Sequence, residues 1–313
     1  MHDGHEDERD SSQLSRRAVL QATNGAVALS AVGSARAGRG GGEAEAQRAR
    51  LDRRCPEATI EPSHGSCAGA SVEGCDDDHP VTVELREAVA ETLSERYPDV
   101  GSLLDDEYKP YFDTIGGGSG YSHWLSPGYI GDGTILDPDR PESVLVDDES
   151  WRPIGIMFIA TSDGDPISPP PVIYDAAADV TYEDEVAPAV PESDAGEDRD
   201  GSEDRCSPWH YHAGLPSRFA WWYYRQVYEG DYEDGDVRLP CRTPCMLHVW
   251  VVDHPESVYA HDAPPVEYRD REPADEPGFE TDADPGEDAL GWDVLPDEVT
   301  PDRLPDEFSV LGP

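Results

Sequence analysis

Six cysteines constrain this chain more than any other feature, because they fall into two groups of three: Cys55, Cys67 and Cys75, then Cys206, Cys241 and Cys245. Three thiols cannot all pair with one another, so complete oxidation forces at least one disulfide across the long gap. Spacing alone does not choose the partners. A long-range link of this kind stabilises by ~3 to 5 kcal/mol in the chain-entropy description. Cys241-x-x-x-Cys245 could instead offer two thiolates to a metal, although its spacing matches no common zinc knuckle.

Whether the thiols oxidise depends on compartment, and the first segment reads as an address. Residues 1–37 carry a polar start, Arg16-Arg17, a mild apolar stretch from Ala18 to Val32, and small residues at Ala35 and Ala37. That arrangement resembles a twin-arginine export signal. No lipobox cysteine follows Ala37, and no apolar run approaches the ~18 residues that a membrane span requires. The expected location is therefore outside the cell or at its surface, where disulfides are the default fate of paired cysteines.

Charge sets a second boundary. Lys109 is the single lysine beside 22 arginines, against 68 carboxylates, for a net charge of −45. Nothing basic is left to neutralise phosphates, so nucleic acid is excluded as a partner. The carboxylates run along the whole length, as expected of a halophilic protein: in molar salt the Debye length is only ~3 Å and their repulsion is largely screened. With 37% hydrophobic residues and 29 prolines beside 29 glycines, a small core inside a large polar envelope is expected.

Periodicity then divides the chain. Residues 38–78 have little pattern and read as a cysteine-tethered, loop-rich segment. Val81, Leu85, Ala88, Val89, Thr92, Leu93 and Tyr97 recur at helical spacing, with Pro80 as start and Pro98 as stop. A shorter helical piece follows through Val100, Leu103 and Leu104. The Gly116 to Gly120 run reads as a turn. Beyond it, Ser143–Val146, Ile154–Thr161, Pro208–His212 and Met246–Val252 read as strands, the first two close enough for a hairpin. Residues 175–205 form an acidic loop without an apolar anchor. From His261 to Pro313 there are 17 acids against 3 arginines, which predicts a mobile or loosely docked tail.

The chemistry-bearing residues are histidines. In Trp209-His210-Tyr211-His212, strand alternation places His210 and His212 on one face about 6.6 Å apart. His248 interrupts the apolar run Met246-Leu247-His248-Val249-Trp250, where a polar side chain needs a partner. A metal ion would supply one, and so would a hydrogen bond to a carbonyl or carboxylate. His123, between Tyr121 and Trp124, is a fourth ligand or a site-lining residue. Glu142 is a candidate general base, an outer partner of the imidazoles, an oxygen ligand, or part of a charged turn. His254 and His261 lie in Asp/Pro-rich sequence and read as solvated. The aromatic run from Phe219 to Tyr224 reads as core or lid packing. Asp132 to Asp139 lacks EF-hand spacing, and neither a Gly-x-Ser-x-Gly elbow nor a His-Glu-x-x-His helix is present.

Four segments in order, Gly120-Tyr121-Ser122-His123-Trp124, Ile135-Leu136-Asp137-Pro138-Asp139-Arg140-Pro141-Glu142, Trp209-His210-Tyr211-His212 and Met246-Leu247-His248-Val249-Trp250, carry a family resemblance. The chain resembles secreted proteins of unassigned activity found in high-GC Gram-positive bacteria and halophilic archaea. The resemblance covers roughly Glu84 to Ala260 and implies that His123, His210, His212 and His248 share a site. One departure stands out: that family continues the His-x-His strand with Asn-Leu-Cys, where this chain has Ala213-Gly214-Leu215.

The sequence thus predicts an α+β fold: a core at residues 79–261 with a helix on a small antiparallel sheet, a barrel as the alternative architecture, and disordered acidic flanks including a tail at 262–313. It predicts a mononuclear zinc or copper site at His123, His210, His212 and His248. The competing expectation is a non-enzymatic extracellular or envelope-associated binding module whose histidines are structural.

Overall fold

A computed structural model describes residues 54 to 301, apart from 113, 116 to 118, 176 to 179, 182 to 204 and 230 to 237. The export segment and most of the acidic loop lie outside the described residues. The elements in chain order are β1 (His64–Ser66), α1 (Pro80–Glu95), α2 (Val100–Asp105), β2 (Lys109–Pro110), β3 (Tyr121–Leu125), β4 (Ser143–Asp147) and β5 (Pro153–Ser162). Then come β6 (Asp165–Pro166), β7 (Tyr174–Asp175), β8 (Val180–Thr181), β9 (Arg205–Cys206), β10 (His210–His212), α3 (Leu215–Tyr224), β11 (Cys245–Trp250) and α4 (Val266–Arg269).

The fold is α+β. Its main sheet runs β1-β10-β11-β5-β4-β3-β2, with β6 extending β5, and all its strand pairs are antiparallel. The sheet is open, so the barrel alternative is corrected: β1 and β2 remain as edges. The expected hairpin is β4 with β5. Alternation sorts each strand between two faces. Val144, Val146, Ile156, Phe158, Leu247 and Val249 join one cluster with Leu85, Val89 and Leu93 of α1. Leu125, Leu145, Met157, Ile159, Met246 and Trp250 form the other with Trp221 and Tyr224 of α3.

Helix α1 begins where the sequence predicts, but its cap is His79, whose Nδ1 accepts from the Val81 amide at 3.3 Å. Pro80 at the first helical position loses no hydrogen bond there. Asp99 caps α2 through a reciprocal pair with Ser102, its Oδ1 accepting the Ser102 amide at 2.8 Å. The aromatic run becomes α3, which continues into a π-helical turn at Arg225–Glu229.

All three disulfides bridge the two cysteine groups: Cys55–Cys241, Cys67–Cys245 and Cys75–Cys206. They bind the N-terminal segment that carries β1 to β9, to the segment before β11 and to the first residue of β11.

The expected loose tail is corrected over its described part. Residues 262–301 wrap the turn between the end of β4 and the start of β5 and bury Ala274, Ala283, Leu290, Leu295 and Val299. The Leu290 amide donates to the Asp148 carbonyl at 2.7 Å, and the Trp151 indole donates to the Asp288 carbonyl at 2.9 Å. Arg269 pairs with Asp147 at 3.3 Å with both side chains buried. Small apolar residues spread between prolines supply these contacts, a pattern with no helical or strand period to announce it.

The sheet curls strongly toward the α3 side. Between β11 and β3 lie β5 and β4, so a flat sheet would separate the outer two by about 14 Å. Yet the Tyr121 and Trp250 rings, from β3 and β11, meet edge-on at 5.9 Å. A register shift between Leu145 and Val146 adds local twist. Gly155 sits in the row Trp250–Gly155–Leu145–His123, under the indole. A Cβ there would lie 2.7 Å from the Val249 carbonyl oxygen and 3.1 Å from Trp250 Cε3. Gly155→Ala is therefore expected to destabilise by about 2 to 3 kcal/mol, measured as a lower denaturant midpoint with an unchanged slope.

Candidate metal centre

The curl brings six histidines into one continuous line. His210 and His212 project from the same face of β10, and β1 places His64 directly opposite His212. β11 carries His248 beside them, and β3 carries His123 on the same face. His261 arrives from the loop after β11, which doubles back: the Trp250 amide donates to the Val258 carbonyl at 2.9 Å, and the Trp250 indole donates to the Ala260 carbonyl at 2.9 Å. Backbone contacts fix the strands. The His123 amide donates to Thr114 Oγ1 at 2.9 Å, and the His212 amide donates to Thr243 Oγ1 at 2.9 Å.

The line runs from solvent inward. His64 is exposed and stacks on part-buried His261, ring centroids 4.1 Å apart. His261 lies 4.6 Å from the His210 ring and 5.1 Å from the His212 ring. His210 is buried and 5.3 Å from the His248 ring. At the inner end, Nε2 of His248 and Nε2 of His123 are 3.5 Å apart.

Three of these make the tightest donor group. One ring nitrogen from each of His210, His212 and His261 lies within 4.8 Å of the other two. Among the described residues no other set of three or more His, Cys, Asp or Glu side chains converges in this way. His261 Nδ1 donates to Asp262 Oδ1 at 2.8 Å, which leaves its Nε2 pointing inward, buried and without a hydrogen-bond partner. A carboxylate behind an imidazole is the arrangement that orients a metal-binding histidine. His210 Nε2 is also buried without a partner, as is His123 Nδ1.

Burial makes His123, His210, His212, His248 and His261 weak bases. It lowers His212 to about 4 and His123 to about 3, with the neighbouring histidines pushing the same way. His210 and His248 are driven well below the usual imidazole value by burial and by each other's neighbours. His261 is lowered as well, burial outweighing the Asp262 carboxylate that acts against it. At neutral pH these five side chains are neutral imidazoles, the form that ligates metal.

The structure brings His123, His210, His212 and His248 together, and adds two histidines that the sequence places elsewhere. His261 sits in Asp/Pro-rich sequence, and only the backbone return from Trp250 delivers it. His64 lies in the unpatterned segment and reaches the site through β1 pairing. Neither carried a local signal. Glu142 is not brought to the histidines. By the alternation of β4 it falls on the side of Val144 and Val146, where it is completely buried. Burial raises its carboxyl well above the ordinary range, and the charges acting on it come from Asp132 and Asp137. The Cys241 and Cys245 thiols are consumed in disulfides and offer a metal nothing.

No family model, curated protein or solved structure matches this chain.

Proposed function

We propose that this is an exported protein that holds a transition-metal ion, zinc or copper, in its histidine pocket, with His210, His212 and His261 as the primary ligands. The observation that carries the reading is the mutual approach of their three ring nitrogens within 4.8 Å. Imidazole donors suit zinc and copper better than calcium or magnesium. Such a site needs neutral imidazoles in water-poor surroundings, and burial supplies both. Three protein ligands leave a fourth position, and the part-exposed rings of His212 and His261 put that position toward the solvent side. The three disulfides fit the oxidising compartment to which the Arg16-Arg17 leader would deliver the chain. No described helix is long and apolar enough to cross a membrane.

Elemental analysis of the untagged protein, purified in molar salt, tests the proposal. Zinc or copper at about one equivalent or more is expected, with the ion on these three ligands lost in His212→Ala and His261→Ala. Absence of metal, together with no uptake of either ion from solution, would reduce the histidines to architecture and favour a binding module without a metal.

A further inference from the structure

Resting on that reading, we infer that the pocket holds a second, deeper metal ion, bound by Nε2 of His123 and Nε2 of His248. Five neutral imidazoles face one another, but one ion cannot take them all. Ligand nitrogens at ~2.0 to 2.1 Å in tetrahedral geometry sit roughly 3.4 Å from one another. The triad of His210, His212 and His261 approaches that condition, and neither His123 nor His248 joins it within the same 4.8 Å limit. These two instead approach each other at 3.5 Å, the separation expected of two ligands on one ion. The five donors therefore divide into three and two.

Two other observations fit a ligand at the inner pair. A hydrogen bond between the two Nε2 atoms would be long at 3.5 Å and would need one ring to donate and the other to accept. His123 Nδ1 has no partner of its own, so nothing in the protein fixes its tautomer. His248 Nδ1 is likewise buried without a hydrogen-bond partner, so the protein does not fix the tautomer of that ring either. The ion of this chemistry is a borderline first-row cation, Zn(II) or Cu(II), retaining open positions because only two protein ligands reach it. His210 lies between the two positions, its ring 5.3 Å from His248 and 4.6 Å from His261.

Metal-free protein equilibrated with excess Zn(II) and then desalted should retain about two equivalents by mass spectrometry of the metal. His123→Gln should retain about one, and His261→Gln about one, because each change strips a different position. Cu(II) loading of the unmodified chain offers a readout independent of any variant. Two neighbouring cupric ions should broaden the electron paramagnetic resonance spectrum by dipolar coupling, and a half-loaded sample should show an isolated-ion spectrum. One equivalent in the unmodified chain, lost in both variants or unaffected by His123→Gln, would overturn the second ion and leave the proposed site standing. No retained metal at all would overturn the proposed function itself.

Discussion

The metal-free protein is expected to lose stability steeply as the pH falls below about 6.5, and bound zinc is expected to move that loss to more acid conditions. The sign follows from which state binds protons more readily. In the unfolded chain each histidine titrates near 6.5, whereas in the fold His212 titrates at about 4 and His123 at about 3. Between those limits the unfolded chain takes up protons that the folded one refuses, so stability rises with pH and falls as acid is added. The interval for His123, which is 7% exposed, corresponds to something on the order of 5 kcal/mol. His210, His248 and His261 act in the same direction.

Two carboxyls work against this trend. Burial lifts Asp148 to about 7 and Glu142 well above its ordinary value, so the fold binds their protons more tightly than the unfolded chain does. Five histidines against two carboxyls leaves the net slope with the histidines. The comparison that isolates them is His123→Asn, which keeps both carboxyls and removes one imidazole. Its denaturation free energy should fall less between pH 6.5 and 4 than that of the unmodified protein. Equal slopes would mean that His123 is not held neutral by its surroundings. Zinc competes with protons for the same nitrogens, and because the imidazoles are weak bases here, the ion should survive at ~pH 5 and leave near pH 4 or below.

This behaviour was only half legible in the sequence. His210 and His212 announce a shared face because strand alternation is strict, and His248 stands out as a polar residue in an apolar run. Their convergence needs β10 and β11 to be neighbours, which the pairing of His210 with Met246 supplies. His123 is a different case. It lies across β4 and β5 from His248, and only the curl of the sheet closes that distance, a property of Gly155, the register shift at Leu145/Val146 and the packing of Trp250. For His123 the sequence offered family likeness without a geometric reason. His261 and His64 were invisible for a related cause: their neighbours are polar and proline-rich, and what positions them is backbone pairing with residues far away. The docked tail from 262 is hidden for the same reason, since its anchors are isolated alanines, leucines and a valine that find partners only when the edges of the core are in place.

The cysteines were legible as a constraint and not as a map, and they lead to the second large effect. Replacing Cys67 and Cys245 together with alanine is expected to cost about 3 kcal/mol, and full reduction of all three bridges is expected to unfold the chain at moderate temperature. The loop closed by Cys67–Cys245 spans 178 residues, which taken alone would suggest about 5 kcal/mol. That loop is not the relevant one while Cys55–Cys241 remains. Through that second bridge the two positions are already joined by Cys55 to Cys67 and Cys241 to Cys245, a path of roughly 16 residues, for which the chain-entropy cost is about 3 kcal/mol. Reduction of every bridge removes the shortcut as well as the link, so the full losses apply. The consequence for the site is local. Cys67 follows β1 directly and Cys245 opens β11, so this bridge ties the strand of His64 to the strand of His248 across β10. Zinc affinity in the double alanine variant should fall by about tenfold or more at the three-histidine position, where His64 stacks on His261, while denaturation in saturating zinc should recover part of the lost stability. An unchanged affinity with lowered stability would mean that β10 and the return from Trp250 hold the ligands in place without the bridge.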